Sequence, residues 1–156
     1  MPTLRERFTQ DLKDAMKASE KSRVSTLRLM QSALKDKDIE ARGLGKDPIS
    51  DEDILALLQK MIKQRNESIT MYVQGGREEL AAIERDEVAI ISIYLPKQLD
   101  DAAMQDVIQS AIAHVEATSM KDMGKVVAHL KANYSGQMDF AKVSGFVKVA
   151  LGSLAS

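Results

Sequence analysis

The residues best placed to do chemistry in this chain are basic, and they fall in two short runs. In the first, Lys21, Arg28, Lys35 and Arg42 are spaced by seven. Seven residues come within about 20° of two helical turns, so on a helix these four form a slowly drifting stripe. Ser25 and Ser32 lie on the same line. Cations interleaved with hydroxyls can track a phosphate backbone. Asp36, Asp38 and Glu40 dilute the far end, and an ordinary solvated face uses the same residue types. In the second run, Lys121, Lys125 and His129 are each four apart and share one side of a helix. Gly124 adjoins them, and a glycine there lets another backbone come close. Lys131, Tyr134, Gly136 and Lys142 follow. A basic helix with an aromatic nearby can hold RNA phosphates and stack a splayed base.

Other chemistry finds little support. The two histidines, His114 and His129, lie outside any ligand spacing, and there are no cysteines to complete a zinc site. Without cysteine there are also no disulfides, thiolate ligands or thiol nucleophiles. Asp51-Glu52-Asp53 opens a helix, where acids are stabilising in any case. Gly43-x-Gly45-Lys46 has no strand before it, so it reads as a helix-to-helix connection and not as a phosphate loop. No serine is grouped with a histidine and an acid. The residues therefore predict no catalytic centre, no metal and no cofactor.

Composition narrows the setting. Lysine plus arginine total 22 against 23 acids, a formal net charge of -1, which excludes a bulk polycation but not a local basic face. No DNA partner is expected. With 44% apolar and 29% charged residues, the chain can bury a core. No apolar run approaches the roughly 20 residues of a membrane span. Met1 to Gln10 lacks the apolar centre of a signal peptide, so the expected location is cytoplasmic.

These basic residues need helices to position them. Aromatics are 4% of the chain, tryptophan is absent, and helix formers dominate. Leu4, Phe8, Leu12 and Met16 recur every four residues and predict a first helix with that face inward. Ser19 to Ser22 breaks it, and a second helix runs from about Arg23 to Arg42 with Val24, Leu27, Met30 and Leu34 inward. Ser50 can cap a third, which Gly75-Gly76 stops. The fourth spans roughly Arg77 to Tyr94 with Leu80, Ile83, Val88 and Ile91 inward. Pro96 then punctuates the chain, because the residue before proline disfavours helix. Beyond it, Asp100 or Asp101 caps a fifth helix. A sixth runs from about Lys121 to Ala132, and Tyr134-Ser135-Gly136 makes a turn. Asp139 caps a seventh, whose inward face is Phe140, Val143, Phe146, Val147, Ala150 and Leu154. The expectation is an all-α protein. Residues 1–95 form an N-terminal subdomain of about four helices, 96–99 a Leu-Pro linker, and 100–156 a smaller C-terminal subdomain of about three.

Three separated strings add a resemblance. Leu58-Gln59-Lys60-Met61-Ile62-Lys63-Gln64-Arg65 is followed by Glu67-Ser68-Ile69 and Tyr72-x-x-Gly75-Gly76-Arg77. The second string runs from Glu87 through Tyr94-Leu95-Pro96-x-Gln98-Leu99, and the third is Lys121-Asp122-Met123-Gly124-Lys125-Val126-Val127. In order and spacing these resemble the GatB/YqeY family over nearly the whole chain, most closely its stand-alone YqeY-like members. The resemblance implies two helical subdomains joined near the Leu-Pro motif. It also implies kinship with the carboxy-terminal part of the B subunit of tRNA-dependent amidotransferase, whose tail is associated with tRNA recognition. Kinase and amidase chemistry reside elsewhere in that enzyme, so a label of carbon–nitrogen ligase with glutamine as amido donor would describe the company the domain keeps. Gly124 and Lys125 match the family's Met-Gly-Lys, and Gly136 and Asp139 match a later turn. Two basic positions of that turn are Ser135 and Gln137 here, which implies fewer phosphate contacts.

Three functions stay open at this point. The first is a tRNA-binding accessory acting through the second subdomain. The second is a protein-interaction module for a translation-related partner, using some of the nine methionines. The third is an enzyme whose site assembles from residues distant in sequence.

Overall fold

The computed structural model describes residues 2–154. Met1, Ala155 and Ser156, which the expected subdomains include, lie outside the described residues. The protein is all-α, with seven helices and no strand among the described residues. The chain divides into two compact units, one ending at Leu95 and the next beginning at Pro96.

In the first unit, α1 (Leu4–Lys17) starts where the Thr3 side chain accepts a hydrogen bond from the Glu6 N–H. It buries Leu4, Phe8 and Ala15. Its end turns on Ser19, a serine at φ 56°, with Glu20 N–H donating to the Ala15 carbonyl at 3.0 Å. This is the glycine-type helix stop made without glycine. Because one residue completes the reversal, α2 (Lys21–Gly43) begins at Lys21, ahead of the expected Arg23. It ends in the same motif at Gly45, φ 73°.

The Ser50 hydroxyl accepts from Asp53 N–H and starts α3 (Asp51–Gln74). Gly76, φ 72°, reverses the chain, and Arg77 N–H donates to the Tyr72 carbonyl at 2.8 Å. The helix α4 (Glu78–Ser92) follows. It stops short of the expected Tyr94, because Ile93, Tyr94 and Leu95 each donate three residues back, to Ile90, Ile91 and Ser92, and tighten the last turn. Phe8, Leu27, Met30, Ile54, Leu58, Ile91 and Tyr94 are among the residues that make up the core. Burying each large apolar side chain contributes about 1.5–3 kcal/mol. Two expected inward residues are not inside. Met16 is 51% exposed, its place on α1 taken by Ala15, and Ile83 is also more than half exposed.

The second unit contains α5 (Asp101–His114), a single 3-10 turn (Met120–Asp122), α6 (Met123–Tyr134) and α7 (Phe140–Leu154). Asp100 caps α5 through the Ala103 N–H at 2.8 Å. Its end is again a reversal without glycine, at Glu116, φ 55°. The 3-10 turn takes the residues expected to open the sixth helix, so α6 starts later and includes Tyr134. Asp139 accepts from the Ala141 N–H at 3.0 Å. The core joins Met104, Ile108, Val126, Leu130, Met138, Val143, Val147 and Leu151. Leu154, expected inward, is about half exposed.

Candidate functional site

The site expected in the second unit is built on α6. At 100° per residue, Gly124, Lys125, Ala128 and Lys131 fall within an arc of about 120°. All four are exposed, as is Lys121 in the turn just before the helix. The opposite side carries Val126 and Leu130 into the core, which fixes the basic side outward. The Lys125 side chain is 71% exposed, and its ammonium lies 3.9 Å from the Asp122 carboxylate. That carboxylate is already engaged. It accepts from the Thr118 N–H at 2.9 Å and from the Thr118 hydroxyl at 3.4 Å. The Thr118 N–H first, and the Lys125 charge after it, hold Asp122 below the ordinary aspartate value of 3.8. An exposed pair at this distance ties Lys125 down only weakly. The Lys131 ammonium sits 5.9 Å from the Phe140 ring centre and has no carboxylate within 4 Å among the described residues.

Gly124 is the odd residue on this face. A Cβ added there meets nothing within 4 Å. Helical glycine costs up to about 1 kcal/mol relative to alanine, and no close contact among the described residues offsets it.

The other expected site residues are held by their own unit. His129 stacks on His114 with ring centres 4.5 Å apart and 29° between planes. Asn133 donates to the His129 carbonyl at 2.8 Å. Tyr134 is partly buried against the second core, so its ring packs inward and is not a free stacking platform. Gly136 is buried at φ 80°, and its carbonyl accepts from the Gln98 side chain. Its position is that of a turn, not of a contact surface. Lys142 lies 2.7 Å from Asp101 and ties α7 to the start of α5. The structure therefore gathers Lys121, Gly124, Lys125 and Lys131, and sets His129, Tyr134, Gly136 and Lys142 to other tasks.

The seven-spaced stripe lies on the exposed side of α2. Lys21 and Arg28 line a groove of about 630 Å3 together with Met16, Val24 and Leu29 and the serines 19, 25 and 32. Lys35 and Arg42 lie farther along the helix and outside the groove.

Sequence reasoning missed three polar assemblies, each joining residues far apart in the chain. Arg5 grips Asp38 with two hydrogen bonds, 2.6 and 2.8 Å, and donates to the Ile49 carbonyl at 2.8 Å. Asp38 also accepts from the Ile49 N–H at 3.0 Å. The Arg5 hydrogen bond above all holds the Asp38 carboxyl below its ordinary 3.8. Tyr94 donates to Asp11 and meets Phe8 edge-on at 4.9 Å. Burial first, and Asp11 second, raise the Tyr94 hydroxyl above its ordinary 10.0, so it stays a proton donor. Arg65 bonds Glu87 at 2.7 Å and the Met61 carbonyl at 3.2 Å, with Glu84 at 4.0 Å. Among the described residues, no three His, Asp or Glu side chains group to hold a metal, and no helix is long and apolar enough to cross a membrane.

Comparison with known proteins places the chain. The proteins named "Altered inheritance of mitochondria protein 41, mitochondrial" are similar to it. That of Vanderwaltozyma polyspora is 39% identical over 86 residues, covering 55% of this chain and 45% of that one. That of Saccharomyces cerevisiae is 33% identical over 111 residues, covering 71% and 58%. The chain thus spans about half the length of the curated relatives it matches. Their mitochondrial location overturns the cytoplasmic expectation, which rested on the character of ten N-terminal residues. The pattern of the family described as "Yqey-like protein" matches residues 5–151, nearly the whole chain, and the protein belongs to that family.

Proposed function

We propose that this protein is a tRNA-binding accessory, related to the tRNA-recognising tail of the amidotransferase B subunit and without a catalytic centre of its own. The observation that carries this reading is the outward side of α6. There, Lys121, Lys125 and Lys131 surround Gly124, and Gly124 and Ala128 leave a low floor between the cations. A phosphate backbone can approach such a floor closely, and the ammonium groups reach it from the sides. The nearby aromatics, Tyr134 and Phe140, are partly buried against the second core, so recognition runs through charge and shape, as for structured RNA.

The test is binding of the full chain to a total tRNA pool across a salt series, with Lys125→Glu in parallel. Wild-type binding should weaken with salt at a log–log slope of about -2 to -3, one unit or slightly less for each of the three cations. Lys125→Glu should weaken binding at every salt and flatten the slope by about one. Salt-independent binding, or a variant that binds like wild type, would refute the proposal.

A further inference from the structure

The α1–α2 groove lies in the other unit and presents a different chemistry. Its floor is apolar, formed by Met16, Val24 and Leu29, and Met16 and Leu29 are 51% and 44% exposed. Its cations are Lys21 and Arg28, and neither has a carboxylate within 4 Å among the described residues. None of the eight lining residues is acidic.

The end of α2 beside the groove is positive as well. The helices α1, α3 and α4 carry acids in their first turns, whereas α2 has none there and no side-chain cap. Its preceding residue, Glu20, is paired with Arg23 at 3.4 Å. The positive end of the α2 dipole and two unpaired cations therefore frame an exposed apolar floor. Ser19, which turns the chain at the groove's edge, holds a left-handed backbone that serine adopts only at a cost.

We infer that this groove docks an acidic amphipathic segment of a protein partner, its apolar side chains on Met16, Val24 and Leu29 and its carboxylates against Lys21, Arg28 and the start of α2. The charge complementarity selects an acidic occupant. The two large exposed apolar side chains that line the groove with the cations select a peptide over a nucleic acid, since a phosphate backbone gains nothing from covering them and none of the lining residues is an aromatic on which a base could stack.

The experiment is selection of a displayed library of random peptides, about 16 residues long, on the intact chain, with counter-selection on the Lys21→Glu/Arg28→Glu double variant. Both side chains are exposed, so the variant should keep the wild-type circular dichroism, and Lys21→Gln/Arg28→Gln serves as a milder second form. Enriched sequences should pair Asp or Glu with Leu, Ile or Phe at helical spacing. A synthetic copy should bind wild type and lose about tenfold or more on the double variant. Leu29→Ser should weaken it too, and excess tRNA should leave it in place. No enrichment, enrichment of neutral or basic peptides, binding that survives the double variant, or displacement by tRNA would each overturn the inference. All of these outcomes are separate from the salt series on Lys125.

Discussion

The two units use their charges differently. In the first, the partly buried polar groups are spent on joining helices: Arg5 to Asp38 and Ile49, Tyr94 to Asp11, and Arg65 to Glu84 and Glu87. In the second, the core is apolar and its ion pairs are peripheral, Lys125 with Asp122 and Lys142 with Asp101. The cations of α6 are left facing outward with little to hold them. The first unit adds partly buried polar bonds between helices to its apolar core, while the ion pairs of the second lie at its edge.

The largest effects should come from the cores. Phe8→Ala removes a fully buried ring together with its edge contact to Tyr94 and should cost about 3–5 kcal/mol. Leu130→Ala should cost about 2–5 kcal/mol in the second unit. Urea unfolding followed by amide-resolved NMR should place each loss in its own unit.

The two units differ most in the burial of their ion pairs. Arg65 is only 15% exposed, and Arg65→Ala leaves two partly buried carboxylates without their cation. It should cost about 2 kcal/mol. Lys142→Ala, at a half-exposed pair, should stay within about 0.5 kcal/mol. Equal losses in urea midpoint would break the distinction.

Acid should loosen the Arg5–Asp38 clasp of the first unit. Asp38 has a depressed folded value, so its contribution is complete above its ordinary 3.8 and is lost as pH falls through the lower folded value. A urea midpoint series from neutral pH down to about pH 3 should show stability falling below about pH 4. Asp38→Asn should flatten that fall and cost about 1–2 kcal/mol at neutral pH, part of the charge-assisted bonds being exposed to solvent.

Another small effect has the opposite sign. Ser19→Gly relieves a left-handed serine and should stabilise the first unit by about 0.5–1 kcal/mol, read as a rise in its urea midpoint.

Much of the fold was legible because periodicity reports which residues are apolar on one side of a helix. Leu27, Met30 and Leu34 follow that pattern and are buried, and Ser50 caps its helix as its type suggests. Periodicity does not report whether a second element covers that side, which is why Met16, Ile83 and Leu154 ended up exposed. Ser19 and Glu116 stop helices in a conformation usually signalled by glycine, so their sequence carried no mark of it. Spacing four put Lys121, Lys125 and His129 on one side of a helix, but Lys121 lies in the 3-10 turn before α6 and His129 stacks on His114. The inward packing of Tyr134 and the seat of Gly136 under Gln98 depend on tertiary contacts across the second unit. The His114–His129 stack joins two helices over fifteen positions and had no local signal.

On the proposed function, the outward side of α6 meets tRNA. The most direct measurement is amide chemical-shift mapping of the full chain titrated with tRNA at low salt. Shifts should concentrate on residues 120–132, strongest around Gly124 and Lys125, with α3 and α4 undisturbed. Shifts centred on the α1–α2 groove instead, or none on α6, would contradict it.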